Sequence, residues 1–272
     1  MFLGMGIDGV LIALTCTIYV GAIFPFIYFA RKNNKSYLHL VSPSIAFKNE
    51  NPNSIALLIK ASINGSSETV QDIAISLVSL LCIYQINVFY GDDGIVAYGV
   101  TEYAWLVFNS LFIGFSMATA PLMSYQQGAK NKLEMHSLFK NCIIIIVIFS
   151  VVSFAISQLC AEPLVILFVG YSKELVDFSI YVFRIYAISF MFFGISIYGS
   201  SLFTSLGNGL ISALIAFLRT VVFEVIALII LPMIFAGDGI WYAAIFAEIM
   251  SAILTIIFII TKGKKYGILK KG

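Results

Sequence analysis

Charged residues are scarce in this sequence. Only 11% of its 272 residues are Asp, Glu, Lys or Arg, and 60% are hydrophobic, whereas soluble domains carry about 25% charged residues. Because the chain cannot hide so much apolar surface in a core of its own, lipid must cover the rest. The formal net charge of +2 is too small to favour a nucleic-acid partner. The composition therefore predicts an integral membrane protein whose main partner is the lipid bilayer.

Metal-binding and redox motifs are also missing. The cysteines Cys16, Cys82, Cys142 and Cys160 lie inside apolar runs and form no CxxC pair. With only two histidines in the chain, this pattern argues against a disulfide framework and a metal site. No GxxxxGK[ST] phosphate-binding loop occurs, so we expect no ATP-driven chemistry. We predict that the protein is not an enzyme and needs no cofactor.

Long hydrophobic runs dominate the chain. A helix needs about 20 apolar residues to cross a bilayer, and seven runs are long enough: 9–29, 64–90, 95–123, 141–168, 178–203, 211–235 and 240–261. Short segments rich in Gly, Asn and charged residues separate most of them. We therefore predict an all-α, polytopic bundle of about seven transmembrane helices.

The longest polar interval, residues 31–60, divides the chain. It is rich in Asn, Ser and Pro, and it predicts a cytoplasmic connector between two membrane units. We expect a single span at 1–30, this linker at 31–60, a six-helix lobe at 61–262 and a basic cytoplasmic tail at 263–272.

The basic residues indicate an orientation. All but three of the 16 Lys and Arg residues lie in 31–60, 130–140 and 262–271, which are alternate loops of a seven-span protein. Lys173 lies in an opposite loop, and Arg184 and Arg219 lie within spans. The positive-inside rule places the basic loops in the cytoplasm. We predict a plasma-membrane (inner-membrane) protein with its N-terminus outside and its C-terminus inside.

Several ionisable residues interrupt the spans, at a cost of about 2.5–3.5 kcal/mol each on insertion scales. They are Glu68, Asp72, Glu102, Arg184, Arg219, Glu224 and Glu248. One interpretation is structural: acids pair with the arginines, and Glu68 and Asp72 sit at a helix start, where the helix dipole favours them. The other is functional: two carboxylates four residues apart share one helix face and form a cation or proton site.

Several motifs carry a family resemblance. The segments GVTEY at 99–103 and GFSMATAPLMSYQQGAKN at 114–131 resemble a signature of multidrug and toxic compound extrusion (MATE) transporters, in their NorM-like bacterial branch. The later segments LFTSLGNGLISALIAFLRT at 202–220 and LPMIFAGDGIWYA at 231–243 resemble the family's last spans. NGSSE at 64–68 is similar to the start of its seventh helix.

The resemblance implies an architecture of two six-helix lobes, of which this chain matches the sixth span, the linker and the second lobe. The first five spans of the family are not matched. A separate first lobe, or a second copy of the chain, is then the expected protein partner.

The resemblance also implies a function, namely efflux of amphipathic organic cations in exchange for H⁺ or Na⁺. Glu68 matches a membrane-embedded acid of the family, so it is the expected coupling acid and the candidate ligand for Na⁺. Asp72 and Glu248 are expected to assist it. The expected substrate-cavity residues are Tyr186, Glu102, Glu224 and Arg184.

Two alternatives stay open. Arg184 and Arg219 would suit a flippase for lipid-linked saccharides on a related fold, which carries cavity cations for an anionic cargo, although acids outnumber bases within the spans. A non-transporting membrane fragment or assembly subunit would account for the unmatched first lobe.

Overall fold

The computed structural model describes residues 6–31, 53–170 and 172–269, with the side chains at 6, 7, 10, 53–72 and 264 outside the description. These ranges form eight α-helices and contain no strand. They are α1 (Gly6–Ala30), α2 (Asn53–Gly128), α3 (Lys132–Val169), α4 (Lys173–Tyr186), α5 (Phe190–Ser205), α6 (Gly209–Phe217), α7 (Glu224–Phe235) and α8 (Asp238–Tyr266). The chain divides into two units, 1–65 and 66–272.

The predicted all-α membrane bundle is confirmed. Six helical segments are long and apolar enough to cross a membrane, and one of them, Ile73–Gly128, has 56 residues. At about 1.5 Å per residue such a helix would be more than twice as long as a bilayer is thick. It breaks at Gly91, where φ is 60° and ψ is −148°. The break turns α2 into two spans and gives about seven in all.

The helix ends lie at the polar segments that the sequence predicted as breaks. Two asparagines cap the helices that follow them: the Asn131 side chain accepts from the Glu134 backbone N–H at 3.3 Å, and the Asn208 side chain accepts from the Ile211 backbone N–H at 3.4 Å. Asparagine is among the favoured N-cap residues because its side-chain oxygen satisfies a free N–H of the first turn.

Two irregular turns were not predicted. A 3₁₀ turn at Ala187–Ser189 joins α4 to α5 within one predicted span, and a π-helical turn at Leu218–Phe223 joins α6 to α7 within the next. Neither turn contains Gly or Pro. Single π turns inside helices are rare and are frequently found at functional sites.

Small residues bring the helices of the second unit together. Along α3 the buried residues recur every three or four positions. Those in the middle of the helix have small side chains: Ser150, Ser153, Ser157 and Ala161. Helix α5 packs against α3, α6 and α8. A methyl group at Gly199 of α5 would collide with the side chain of Thr255 on α8. Such close approach is typical of membrane helix pairs.

Polar contacts hold the two ends of the second unit. At one end Asp238 accepts hydrogen bonds from the hydroxyls of Tyr90 (2.9 Å) and Tyr181 (3.1 Å). At the other end the His136 Nδ1 atom lies 2.6 Å from the Ile268 carbonyl oxygen, and Asn208 donates to the Tyr266 hydroxyl at 3.0 Å. The starts of α4 and α8 therefore share one end, opposite the loops at 129–131 and 206–208. This agrees with the predicted alternation of the loops.

Candidate functional site

An arginine–glutamate pair lies inside the second unit. Arg219 comes from the π-helical turn and Glu248 from α8. The guanidinium donates from Nη2 to Oε1 at 2.7 Å, and from Nε to both carboxylate oxygens at 2.9 and 3.1 Å. Its Cζ atom also lies 5.2 Å from the centre of the Phe193 ring. The Arg219 and Glu248 side chains are 18% and 13% exposed. Both charges are therefore largely shielded by the protein, and each compensates the other.

A second acid lies within electrostatic range of this pair and forms no salt bridge with a described base. Glu224 follows the π-helical turn, five residues after Arg219. In a π turn each backbone carbonyl accepts a hydrogen bond from the residue five positions later. The side chains of Arg219 and Glu224 therefore lie on the same side of the span. Glu224 interacts electrostatically with Arg219, Glu248 and Glu102. Among the described side chains, however, the salt bridge of Arg219 is made to Glu248.

Glu102 and two tyrosines extend the polar cluster. Tyr186 is the last residue of α4, and its hydroxyl lies within electrostatic range of Glu102, Tyr98 and Glu224. Tyr98 and Glu102 lie one turn apart on α2, and their side chains interact with each other. Each of these side chains is only partly buried. We call Tyr98, Glu102, Tyr186, Arg219, Glu224 and Glu248 the polar cluster.

Aromatic rings border the polar cluster. Tyr186 packs edge-on against Phe190, with ring centres 5.9 Å apart, and Phe190 lies 6.2 Å from Phe193. On α2, Phe108 lies 5.0 Å from Phe190, and Phe112 lies 5.3 Å from Phe193. Aromatic faces attract cations, as Phe193 already does with Arg219.

The charges of the polar cluster favour a positive ligand. The positive charge of Arg219 is matched by Glu248, which leaves the two carboxyl groups of Glu102 and Glu224 with no salt bridge among the described residues. Two carboxyl groups near one another favour binding of a proton or a cation between them. The described residues contain no group of three or more His, Cys, Asp or Glu placed to hold a metal ion.

The structure gathers some of the predicted site residues and separates others. Tyr186, Glu102, Glu224 and Glu248 belong to the polar cluster. Arg184 does not, because it lies two residues before Tyr186 on α4, which turns it by about 200°, and its exposed side chain lines a groove that Gln158 of α3 also lines. The interpretation that the acids pair with the arginines therefore does not hold for Arg184 among the described side chains. The side chains of Glu68 and Asp72 lie outside the described residues.

Tyr98 is a member that the sequence analysis missed. It lies one helical turn before Glu102, and an (i, i+4) spacing from an acid inside a span was the available signal. The sequence analysis also left the partner of Arg219 open. Its nearest acid in the sequence is Glu224, whereas the salt bridge is made to Glu248, 29 residues away.

A family model described as MatE matches residues 69–230. Among curated proteins, none matches the sequence. The fold is similar to an outward-facing and an inward-facing structure of a multidrug resistance MATE family transporter of the MOP superfamily, with TM-scores of 0.80 and 0.75 and 16% identity to each.

It is also similar to a MOP superfamily transporter from Pyrococcus furiosus, described as having a binding pocket of reversed polarity that suggests a different function, with a TM-score of 0.79 and 16% identity. The three alignments each cover 97% of this chain. The chain spans only 58%, 60% and 58% of the outward-facing, inward-facing and Pyrococcus chains.

Proposed function

Because the chain belongs to the MatE family, whose members are transporters and not enzymes, we propose that it forms the second lobe of a multidrug efflux antiporter. In this proposal the antiporter exports amphipathic organic cations and takes up H⁺ or Na⁺ in exchange. One positive charge moving inward across the membrane supplies about 2.3 kcal/mol per 100 mV. No cofactor is needed, because exchange requires only that cargo and coupling ion compete for the same acids.

The observation that carries this proposal is the uncompensated acidity of the polar cluster. Glu224 and Glu102 lie within electrostatic range of each other and of the Tyr186 hydroxyl, and the Tyr186 ring packs against Phe190. An organic cation would gain both the charge of the carboxylates and the faces of the rings. Glu68 is the proposed coupling acid, by its match to the family, and Asp72 is proposed to assist it.

Glu248 has a supporting role in this proposal. Its carboxylate is taken up by three hydrogen bonds from Arg219, so it holds the arginine away from Glu224. Glu224 then stays available for a proton or for cargo. We therefore assign Glu248 to coupling through Arg219 and not to direct binding of the coupling ion.

A flippase for an anionic, lipid-linked saccharide is the second candidate. The reversed pocket polarity described for the Pyrococcus neighbour makes the sign of the cluster's charge the deciding feature. Here Arg219 is matched by Glu248, while Glu102 and Glu224 have no base of their own among the described side chains. This balance favours a cationic cargo.

The transport test uses the chain joined to the first lobe of a MatE family transporter, in a strain lacking its own efflux pumps. We expect lower ethidium accumulation, and we expect Glu224→Gln to restore accumulation while insertion stays intact. Glu174→Gln, which changes an exposed acid at the start of α4, is the matched control. Normal export by the Glu224→Gln variant would remove the basis of the proposal.

The chain alone provides one wall of a site that lies between two repeats in alternating-access transporters. We therefore expect the chain alone to insert into the membrane without exporting ethidium. Energy-dependent export by the chain alone would instead indicate a functional pair of copies. Absence of export in both contexts would favour a non-transporting assembly subunit. Repeating the assay with and without Na⁺ distinguishes the two coupling ions.

We propose that the loops at the Asp238 end face outward and that the chain resides in the plasma membrane. The support is the charge difference between the ends: Asp92 and Asp238 at one, Lys130 and Lys265 at the other. Cysteines introduced at Asp92 and Asp238 should react with an impermeant reagent in intact cells. Those at Lys130 and Lys265 should react only after permeabilisation, and the reverse pattern would invert the topology.

A further inference from the structure

A shallow, open groove runs between α3 and α4, on the opposite side of α4 from Tyr186. Its lining residues are Phe154, Gln158, Asp177, Ile180, Tyr181, Arg184, Ile185 and Ile188. The residues from α4 and the turn after it recur at spacings of three, four and seven, so they form one stripe. The two residues from α3 lie four apart and form the facing wall. The groove therefore lies on the exposed surface of the second unit.

The groove is polar at one end and apolar at the other. Helices α3 and α4 run antiparallel from the connection at 170–172, and the Gln158 amide donates to the Arg184 carbonyl oxygen at 2.9 Å. This contact places Gln158 and Arg184 at the same depth. Asp177 lies two turns before Arg184 on α4, and it is therefore about 10 Å nearer the connection than Arg184 is. Phe154 and Ile188 lie on the other side of Arg184, deeper in the membrane.

Neither charged residue of the groove forms a salt bridge with another described side chain. Arg184 and Asp177 are exposed, and the described part of the chain gives neither of them a salt bridge. An arginine within a span requires a counter-charge, or it must reach the lipid headgroups with its long side chain. A phosphate is the natural partner, because a guanidinium binds it through two parallel N–H donors.

We propose that this groove binds a phosphatidylethanolamine molecule of the adjacent leaflet. Its phosphate lies at Arg184 and its ammonium group at Asp177, on the side nearer the connection. One acyl chain lies along Phe154, Ile185 and Ile188. The order of negative, positive and apolar side chains along the groove is the complement of ammonium, phosphate and acyl chain along the lipid.

Asp177 is the residue that selects this lipid. A phosphatidylglycerol headgroup has no ammonium and would be repelled by the carboxylate. A phosphatidylcholine headgroup also carries a positive nitrogen, but that nitrogen is fully methylated and has no N–H to donate to Asp177. The site is separate from the polar cluster, so its occupation does not depend on the cargo proposed above.

The experiment is native mass spectrometry of the purified full-length chain, titrated separately with the three phospholipids. We expect phosphatidylethanolamine to bind more tightly than the other two. Arg184→Gln should weaken its binding about tenfold, the effect of losing hydrogen bonds to a charged group. Asp177→Asn should weaken the binding of phosphatidylethanolamine. The binding of phosphatidylglycerol should stay unchanged or become tighter.

Lys173→Gln is the matched control, since Lys173 is an exposed cation at the start of α4 that does not line the groove. It should bind all three lipids like the unaltered chain. An Arg184→Gln variant with unaltered binding would overturn the site, and so would a Lys173→Gln variant that loses as much as Arg184→Gln. Equal weakening of both lipids by Asp177→Asn, or tightest binding of phosphatidylglycerol, would overturn the headgroup assignment.

Discussion

Arg184 and Arg219 both interrupt apolar spans, yet the protein treats them in opposite ways. Arg219 lies among helices, 18% exposed, and receives a carboxylate and an aromatic ring. Arg184 lies on an exposed helix face, and the described residues offer its guanidinium no salt bridge. The difference shows that the position of an arginine in the fold decides which group must compensate its charge. An interior arginine must be compensated by the protein, whereas an arginine at the lipid surface can be compensated by a headgroup.

The same contrast separates the acids. Glu248 is held by Arg219 through three hydrogen bonds, whereas Glu224, within electrostatic range of the same arginine, forms no salt bridge with the described side chains. Removing the charge of Glu248 therefore leaves a charge uncompensated, whereas removing the charge of Glu224 does not. The predictions below test whether this distinction holds.

The largest effect is expected from Glu248→Gln. Breaking a buried pair costs about 3–5 kcal/mol, and the partial exposure of Arg219 places this pair near the lower end. We expect the Tm of the detergent-purified protein to fall by about 5–10 °C, measured by the loss of monodisperse protein after heating. Glu224→Gln is the matched variant and should keep or raise the Tm. A fall of equal size in both variants would show that pairing is not what separates the two acids.

A double substitution sharpens this test. Arg219→Met with Glu248→Leu removes both charges, and replacing a buried pair by apolar residues is often neutral or stabilising. The double variant should therefore recover most of the Tm lost by Glu248→Gln. If it stays as unstable as Glu248→Gln, packing against Phe193, and not charge, determines the stability of this region.

Much of the fold follows from the sequence for identifiable reasons. The hydrophobic runs predicted the spans, because the length of a spanning helix must match the thickness of the bilayer. The helices break or begin at Gly91, Asn131 and Asn208 because of the backbone conformation of the glycine and the capping side chains of the asparagines. The turns at Ala187–Ser189 and Leu218–Phe223 could not be predicted. They contain no helix-breaking residue, so their cause lies in packing between helices.

The site was only partly predictable for the same reason. Acids within spans were recognisable from insertion cost, and helical spacing alone separates Arg184 from Tyr186. The choice of Glu248 over Glu224 by Arg219 depends on the register between the π-helical turn and α8. That register is a property of the packed helices and has no local signal in the sequence.

Glycines extend the contrast between interior and lipid-facing positions. A methyl group at Gly199 would collide with Thr255, whereas one at Gly114 would have no atom within 4 Å. Gly199→Ala should cost about 1–3 kcal/mol through overpacking, and Gly114→Ala should be neutral or stabilising because alanine favours the helix. Thermal unfolding of both variants provides the comparison. Equal Tm values would mean that α5 and α8 can separate without cost.

The smallest effect is expected from Arg184→Gln in detergent without phospholipid. Since the described residues give this guanidinium no salt bridge, its removal should change the free energy of unfolding by no more than about 0.5 kcal/mol. The Tm should then match that of the unaltered chain, while Glu248→Gln falls well below it. A loss as large as that of Glu248→Gln would reveal a protein partner for Arg184. The distinction between an arginine compensated by protein and one compensated by lipid would then fail.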